Sequence, residues 1–326
     1  MNTYRRQSLV AALAATVLLA GGVFAQTFPD KPITLIVAYP TGGDTDAMAR
    51  LYAERLTQRL KQTVLVENKP GAGGVLGNAY VGKAKPDGYT LLFTPNPFTT
   101  APTVLKLAPS ASYDVLNGFD SVILTGMQSV LLVAHPDTGI KNIRDLVAQA
   151  KAGKQLNYAS PGAGSPMHIV AEWLNKVAGI QVQHVPYRGI GPMIPDMLTG
   201  RVNMGYTTYG PVSQLISSGR LVAVALTDDE QTPLIPKLTT ISEQGYKDIK
   251  LGAWHGIMAP KGTPASVIGL LNSHMNEVLK MPDVVERMGT YGARPAGGAP
   301  DALTKINADD YARLTKLIRD LNIQAD

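Results

Sequence analysis

One local pattern occurs twice in this chain, and it limits the fold more than any other feature. A predicted strand runs into a glycine-bearing turn, and the turn opens a predicted helix. The first turn is Pro40-Thr41-Gly42-Gly43-Asp44-Thr45-Asp46 and the second is Ser160-Pro161-Gly162-Ala163-Gly164-Ser165-Pro166, about 120 residues later. Glycine lets the main chain come close to a ligand, and the unpaired N–H groups that open a helix attract an anion. One such turn is a weak signal. The pair predicts two lobes that each hold part of the same carboxylate ligand.

The surrounding sequence has the alternation expected of an α/β fold. Residues 33–39 form a continuous apolar run, as in a strand covered on both faces. Residues 46–61 place Met48, Leu51, Leu56 and Leu60 at helical spacing, with Asp44, Thr45 and Asp46 available to cap the start. Strands are predicted at 63–67 and 89–94, giving the β-α-β-α-β order of a doubly wound layer. The order returns with strands at 156–160, 181–185, 202–206 and 221–226, and with helices after the second glycine turn, near 192–198 and from about Pro211. Extended stretches at 122–134 and 252–259 are expected to link the two units. Helices at 264–280, 282–291 and 300–321, each begun by a proline suited to a first turn, are expected to pack back on the first unit. The predicted division is residues 26–127 plus 252–326 for one lobe and 128–251 for the other.

The N-terminus has the form of an export signal. Arg5 and Arg6 precede an apolar run at 9–19 and then Gly21-Gly22-Val23-Phe24-Ala25, so residues 1–25 are expected to be removed after Ala25 and the protein to reach the periplasm. The run is shorter than the ~20 apolar residues of a spanning helix. About 300 residues then remain, enough for two medium domains with substantial cores. The chain has no cysteine, which excludes disulfides, zinc–thiolate sites and thiol nucleophiles. The formal net charge is +5, of which Arg5 and Arg6 supply two. The rest is spread without a Lys/Arg block and aromatics are 6% of residues, so no nucleic-acid partner is expected.

Other chemistries fit poorly. Gly162-Ala163-Gly164 begins like a dinucleotide fingerprint, but its sixth position is Met167 and no acidic residue ends the next strand. Pro70-Gly71-Ala72-Gly73-Gly74 lacks the Gly-Lys-Ser/Thr ending of a phosphate loop. Ser165 and His168 lie one helical turn apart and raise a hydrolase alternative, yet the surroundings of Ser165 are not a G-x-S-x-G elbow. Ser165 therefore reads as a helix cap and donor. His168 and Glu172 have metal-ligand spacing without a third ligand, so no metal and no cofactor is expected. Tyr39, Phe98, Tyr206 and Tyr209 fall at strand ends or in loops, where a ligand can meet them; Trp173 reads as core, and Trp254 reads equally as cleft or as packing.

Taken in order, several strings resemble one family. They are Phe28-Pro29-Asp30-Lys31-Pro32-Ile33 leading into the first glycine turn, Val66-Glu67-Asn68-Lys69-Pro70-Gly71-Ala72-Gly73-Gly74, and Lys85-Pro86-Asp87-Gly88-Tyr89-Thr90-Leu91-Leu92. Then come Tyr158-Ala159 into the second glycine turn, His184-Val185-Pro186-Tyr187-Arg188-Gly189 and Ala259-Pro260-Lys261-Gly262-Thr263-Pro264. Together they are similar to Bug-type receptors, the periplasmic solute-binding proteins of tripartite tricarboxylate transporters. The resemblance implies a type II periplasmic-binding-protein fold: two α/β lobes joined by a two-strand hinge around a ligand cleft. It implies a small organic carboxylate as ligand, a di- or tricarboxylate or an aromatic acid, and transporter membrane subunits as partners. Receptors of this build are usually monomers and not enzymes; presentation of the loaded protein to a membrane kinase is an alternative role.

Carried onto this chain, the site residues implied are Tyr39, Thr41, Gly42, Gly43, Thr45 and Asp46 from one lobe, with Asp46 as a helix-end or bridging group. Ser160, Gly162, Ala163, Gly164 and Ser165 come from the other, with Thr207 and Thr208. Many relatives carry an Asp-Asn pair where this chain has Thr207-Thr208, and often Asp at Asn203. Threonine hydroxyls cannot supply the charge that receives an amino group, so a ligand without a primary amine is expected.

Overall fold

Strands that are apolar on both faces need cover on both faces, and that demand organises the chain. The computed structural model describes residues 28–228 and 234–324, so the expected leader at 1–25 lies outside the described residues. Strand β1 (Ile33–Val37) buries Ile33, Leu35, Ile36 and Val37 completely. It pairs in parallel with β2 (Val64–Asn68) and β3 (Thr90–Pro95). Helix α1 (Asp44–Leu60) connects β1 to β2, and α2 (Val75–Gly82) connects β2 to β3. The sheet is completed by β4 (Phe119–Gln128), β10 (Ala253–Pro260) and β11 (Ala293–Pro295), in the order β11-β4-β10-β3-β1-β2.

A second sheet repeats this plan. It contains β5 (Val130–Ala134), β6 (Asn157–Ser160), β7 (Gln183–Pro186), β8 (Met204–Thr208) and β9 (Val222–Leu226), in the order β7-β6-β8-β5-β9. Its helices are α4 (Ile143–Lys151), α5 (Pro166–Ala178), α6 (Ile190–Leu198) and the short α7 (Ser213–Ser217). In each sheet three parallel strands are followed by one antiparallel strand that arrives from the other sheet: β10 in the first, β5 in the second. Only Ser129 separates β4 from β5. On the return crossing the Leu251 amide donates to Thr227 O at 2.8 Å, and Ala253 stands in register with Gln128. The two extended stretches read as links are thus strands inside the sheets as well as connections between them.

Helix α3 (Pro97–Val104) is absent from the sequence expectations, because Pro102 lies inside it. Proline cannot donate to the carbonyl four residues earlier. Here the orphaned Phe98 carbonyl accepts instead from the Tyr113 hydroxyl at 2.7 Å.

The last helices are α8 (Ala265–Val278), α9 (Pro282–Thr290) and α10 (Pro300–Asp320). Leu303 of α10 packs with Ile36, Leu92, Phe98 and Trp254 of the six-stranded sheet's core. Leu314 and Ile318, further along the same helix, join Val130, Leu132 and Ile249 in a core of the five-stranded sheet. Trp254 is buried and its Nε1 donates to Asp310 at 2.9 Å, which makes it a packing residue.

Candidate functional site

In open parallel sheets, ligands gather at the carboxyl ends of strands, where the strand order reverses. A cavity of about 310 Å³ occupies that place here. Its walls are the segments that follow β1 (Tyr39 to Thr45), β3 (Pro95 to Pro97), β6 (Pro161), β7 (Arg188 to Pro192) and β8 (Thr208), with Gln128, Met167, Ala253 and His255. The volume lies at the small end of the roughly 300–1,000 Å³ typical of small-molecule sites, which suits a metabolite.

Two helices begin at this cavity. Helix α1 is capped by Gly43 and α6 by Gly189, and neither cap uses a side chain. The first amides of a helix have no partner inside it and carry its positive end. One of them, the Thr45 amide, is taken by Asp44 Oδ1 at 2.8 Å. Arg188 adds a guanidinium at the wall and has no ion-pair partner among the described residues.

The first glycine turn is held from behind. Asp46 accepts from the Gly42 amide (3.0 Å), from Arg50 Nε (3.1 Å) and Nη2 (2.9 Å), and from Asn68 Nδ2 (2.8 Å). Burial on its own would raise the Asp46 pKa, but the bonds from Arg50, Gly42 and Asn68 outweigh it and hold the carboxyl below its ordinary 3.8. Asp46 thus braces the turn and does not line the cavity. Its neighbour Asp44 does line it, and accepts from Thr208 Oγ1 (2.8 Å) and Gln128 Nε2 (3.2 Å).

The second glycine turn is engaged differently. The Gly162 amide donates to Ser160 Oγ (3.2 Å), the Gly164 amide to His168 Nδ1 (3.1 Å) and the Ser165 amide to Gly162 O (3.1 Å). Gly164 O accepts from Thr100 Oγ1 of α3 at 2.6 Å. Ser165 Oγ caps α5 by accepting from the His168 amide, as expected of it. Ser160 is fully buried, with its hydroxyl 2.7 Å from His184 Nε2. Gly162 and Ala163 line a neighbouring cavity of about 640 Å³, which shares Tyr39, Pro40, Pro161, Arg188 and Gly189 with the first.

Of the residues expected at the site, the structure brings Tyr39, Thr41, Gly42, Gly43, Thr45 and Thr208 to the smaller cavity. Thr207 is buried in β8 and donates to Thr208 O. Phe98 and Tyr206 belong to the cores, and Tyr39 OH donates to Gly73 O at 3.0 Å. Asp44, Asn96, Gln128, Arg188 and His255 are cavity residues that sequence reasoning misses. Arg188-Gly189 carries a signal, since it repeats the strand, glycine turn and helix pattern of the other two turns. Gln128 and His255 carry none, because the pairing of β4 with β10 places them. Burial pulls the His255 pKa down to about 4 against the opposing pull of Asp44, so the ring is neutral at pH 7.

Comparison with known proteins bears on the family and the fold. Residues 48–323 match the family described as "Tripartite tricarboxylate transporter family receptor". The chain is similar to Protein BugT of Bordetella pertussis, with 36% identity over 98% of each chain. It also resembles the structure of Rpa4515 of R. palustris with adipate, at 27% identity and a TM-score of 0.84, covering 91% of this chain and 99% of that one. A third similarity is to MatC from Rhodopseudomonas palustris with bound malate: 28% identity, TM-score 0.82, covering 89% of this chain and 100% of that one.

Proposed function

Since the chain belongs to the receptor family of the tripartite tricarboxylate transporters, we propose that it captures a small organic carboxylate in the periplasm and delivers it to the membrane subunits of such a transporter. One observation carries the reading: the openings of α1 and α6, from different sheets, meet at one metabolite-sized cavity with Arg188 in its wall. A carboxylate there receives charge-assisted hydrogen bonds, worth roughly 1.5–3 kcal/mol each. The adipate and malate carried by two similar proteins are carboxylates of suitable size.

We assign residues 26–127 plus 252–326 and residues 128–251 to the two lobes, with residues 1–25 as the cleaved export signal and a monomer as the working form. Ligand binding favours the closed arrangement, which the membrane partner then selects. No covalent step is required. Ser165 Oγ meets the main-chain amide of His168 while the His168 ring accepts from Gly164, so the hydrolase alternative lacks a bond between nucleophile and base.

A thermal-shift screen against mono-, di- and tricarboxylates, followed by calorimetry on the hits, tests the reading. Saturable stabilisation by a carboxylate without turnover is expected. Turnover of the hits, or stabilisation only by uncharged solutes, overturns it.

A further inference from the structure

The cavity beside the candidate site has a chemistry of its own. It measures about 640 Å³ against about 310 Å³ for its neighbour. Loop 70–74, which leads into α2, forms one side of it, and the segments that follow β6 and β7 form the other. The two sides approach each other at glycines: a methyl group on Gly162 would lie 4.0 Å from Gly73 Cα. Arg188, exposed and in the wall of both cavities, is the one charged side chain among the described residues that line the larger.

Hydrogen-bond donors are scarce in this space. Pro40, Pro70, Pro161 and Pro186 have no N–H to offer. Both tyrosines in the wall have committed their hydroxyls, Tyr39 to Gly73 O (3.0 Å) and Tyr187 to Asp196 Oδ2 (2.6 Å). The Gly74 and Leu76 amides donate to Gly71 O, the Gly162 amide to Ser160 Oγ and the Gly189 amide to Pro161 O. Leu76 is 49% exposed and lays its side chain over the same loop, since a methyl group on Gly71 would come within 2.6 Å of Leu76 Cδ1.

A carboxylate taken from water into such surroundings loses hydration that little replaces. A hydrocarbon group gains, and each methylene buried is worth about fourfold in affinity. Small-molecule sites are commonly built this way, with a wide apolar wall and a few polar groups that fix orientation. Arg188 stands where the two cavities join, so a carboxylate held there can lead the rest of its molecule into the larger one.

We propose that the larger cavity houses the apolar body of the ligand, so that the molecule captured is a monocarboxylic acid with an alkyl or aryl body anchored at Arg188. The proposal rests on the carboxylate-receptor reading and narrows it. A dicarboxylate would have to strand its second charge among prolines and glycines. The proposal also agrees with the amine-free ligand expected from Thr207 and Thr208, because no acidic side chain lines the larger cavity among the described residues.

Calorimetry on the purified protein tests this with matched pairs: hexanoate and hexanedioate, octanoate and octanedioate, 4-methylbenzoate and benzene-1,4-dicarboxylate. A further probe, 1-hexanol, is a body without a carboxylate. In at least one pair the monocarboxylate is expected to bind at least about tenfold more tightly. Leu76→Lys, which sets a cation in the larger cavity, is expected to remove that preference. The wild-type comparison needs no variant, so it decides the matter even if the Leu76→Lys protein misfolds. A dicarboxylate that equals or exceeds its partner in every pair overturns the proposal and leaves the receptor reading standing. So does a preference that Leu76→Lys leaves unchanged, because the body then lies elsewhere. Hexanol binding as tightly as hexanoate overturns the carboxylate reading itself, and failure of every probe overturns both.

Discussion

Thr208 Oγ1 donates to Asp44 Oδ2 at 2.8 Å, tying the carboxyl end of β8 in one sheet to the first turn of α1 beside the other. This bond crosses the proposed cleft and is available only when the two sides are together. Thr208→Val is expected to weaken ligand binding about three- to tenfold, in line with the roughly 1 kcal/mol net of a typical hydrogen bond. Calorimetry of both proteins with the same ligand measures it, and unchanged affinity refutes a closing role for the pair.

Arg188 has the largest expected effect on affinity. Arg188→Ala is expected to reduce carboxylate binding at least about tenfold, since a charge-assisted bond is lost. Arg188→Lys retains the charge without the planar fork and should fall between. Melting temperature without ligand should not change, because the side chain is exposed. Affinity measured against salt concentration provides a second check, with a shallower slope in the alanine variant.

Two glycines in the two turns should respond differently to alanine. Gly42 has φ +89° and open space where a methyl group would stand, so Gly42→Ala costs only the left-handed backbone, about 1–2 kcal/mol. Gly164 has φ +77°, and a Cβ there would lie 2.9 Å from Ala101 Cα of α3, a backbone atom that cannot move alone. Overpacking adds a further 1–3 kcal/mol or so to the backbone cost. Urea denaturation should therefore rank Gly164→Ala well below Gly42→Ala in stability.

Acid should destabilise the protein before its carboxylates titrate. Burial, helped by the stacked His184 ring, pulls the His168 pKa from 6.5 to about 3, and burial pulls His255 to about 4. The unfolded chain takes up protons below about pH 6.5 while these folded histidines refuse them. Stability is thus complete above that pH and falls as the pH drops toward 3–4. The loss reaches up to about 2 kcal/mol per histidine between pH 6.5 and 5. Urea midpoints at the two pH values measure it, and His255→Gln should lessen the difference.

Much of the fold is legible in the sequence because its signals are local. Strand β1 announces itself by an unbroken apolar run, α1 by its periodicity and acidic start, and α8 to α10 by their opening prolines. Helix α3 is hidden because the partner that excuses Pro102, Tyr113, lies eleven residues away. The candidate site divides along the same line. Turn residues such as Thr41, Gly43 and Thr45 can be read from their neighbours, whereas Asn96, Gln128 and His255 meet only through strand pairing across more than 100 residues. The second glycine turn shows a further limit: its sequence displays amides, but not that His168, Ser160 and Gly162 already occupy them.

Helix α10 runs for 21 residues, a rod of about 30 Å, with Leu303 seated in one core and Leu314 and Ile318 in the other. A splint anchored in both halves forbids them to slide past each other. The opening we propose is then a swing that pivots beside the rod, with the far end of α10 as the place where its amplitude is set.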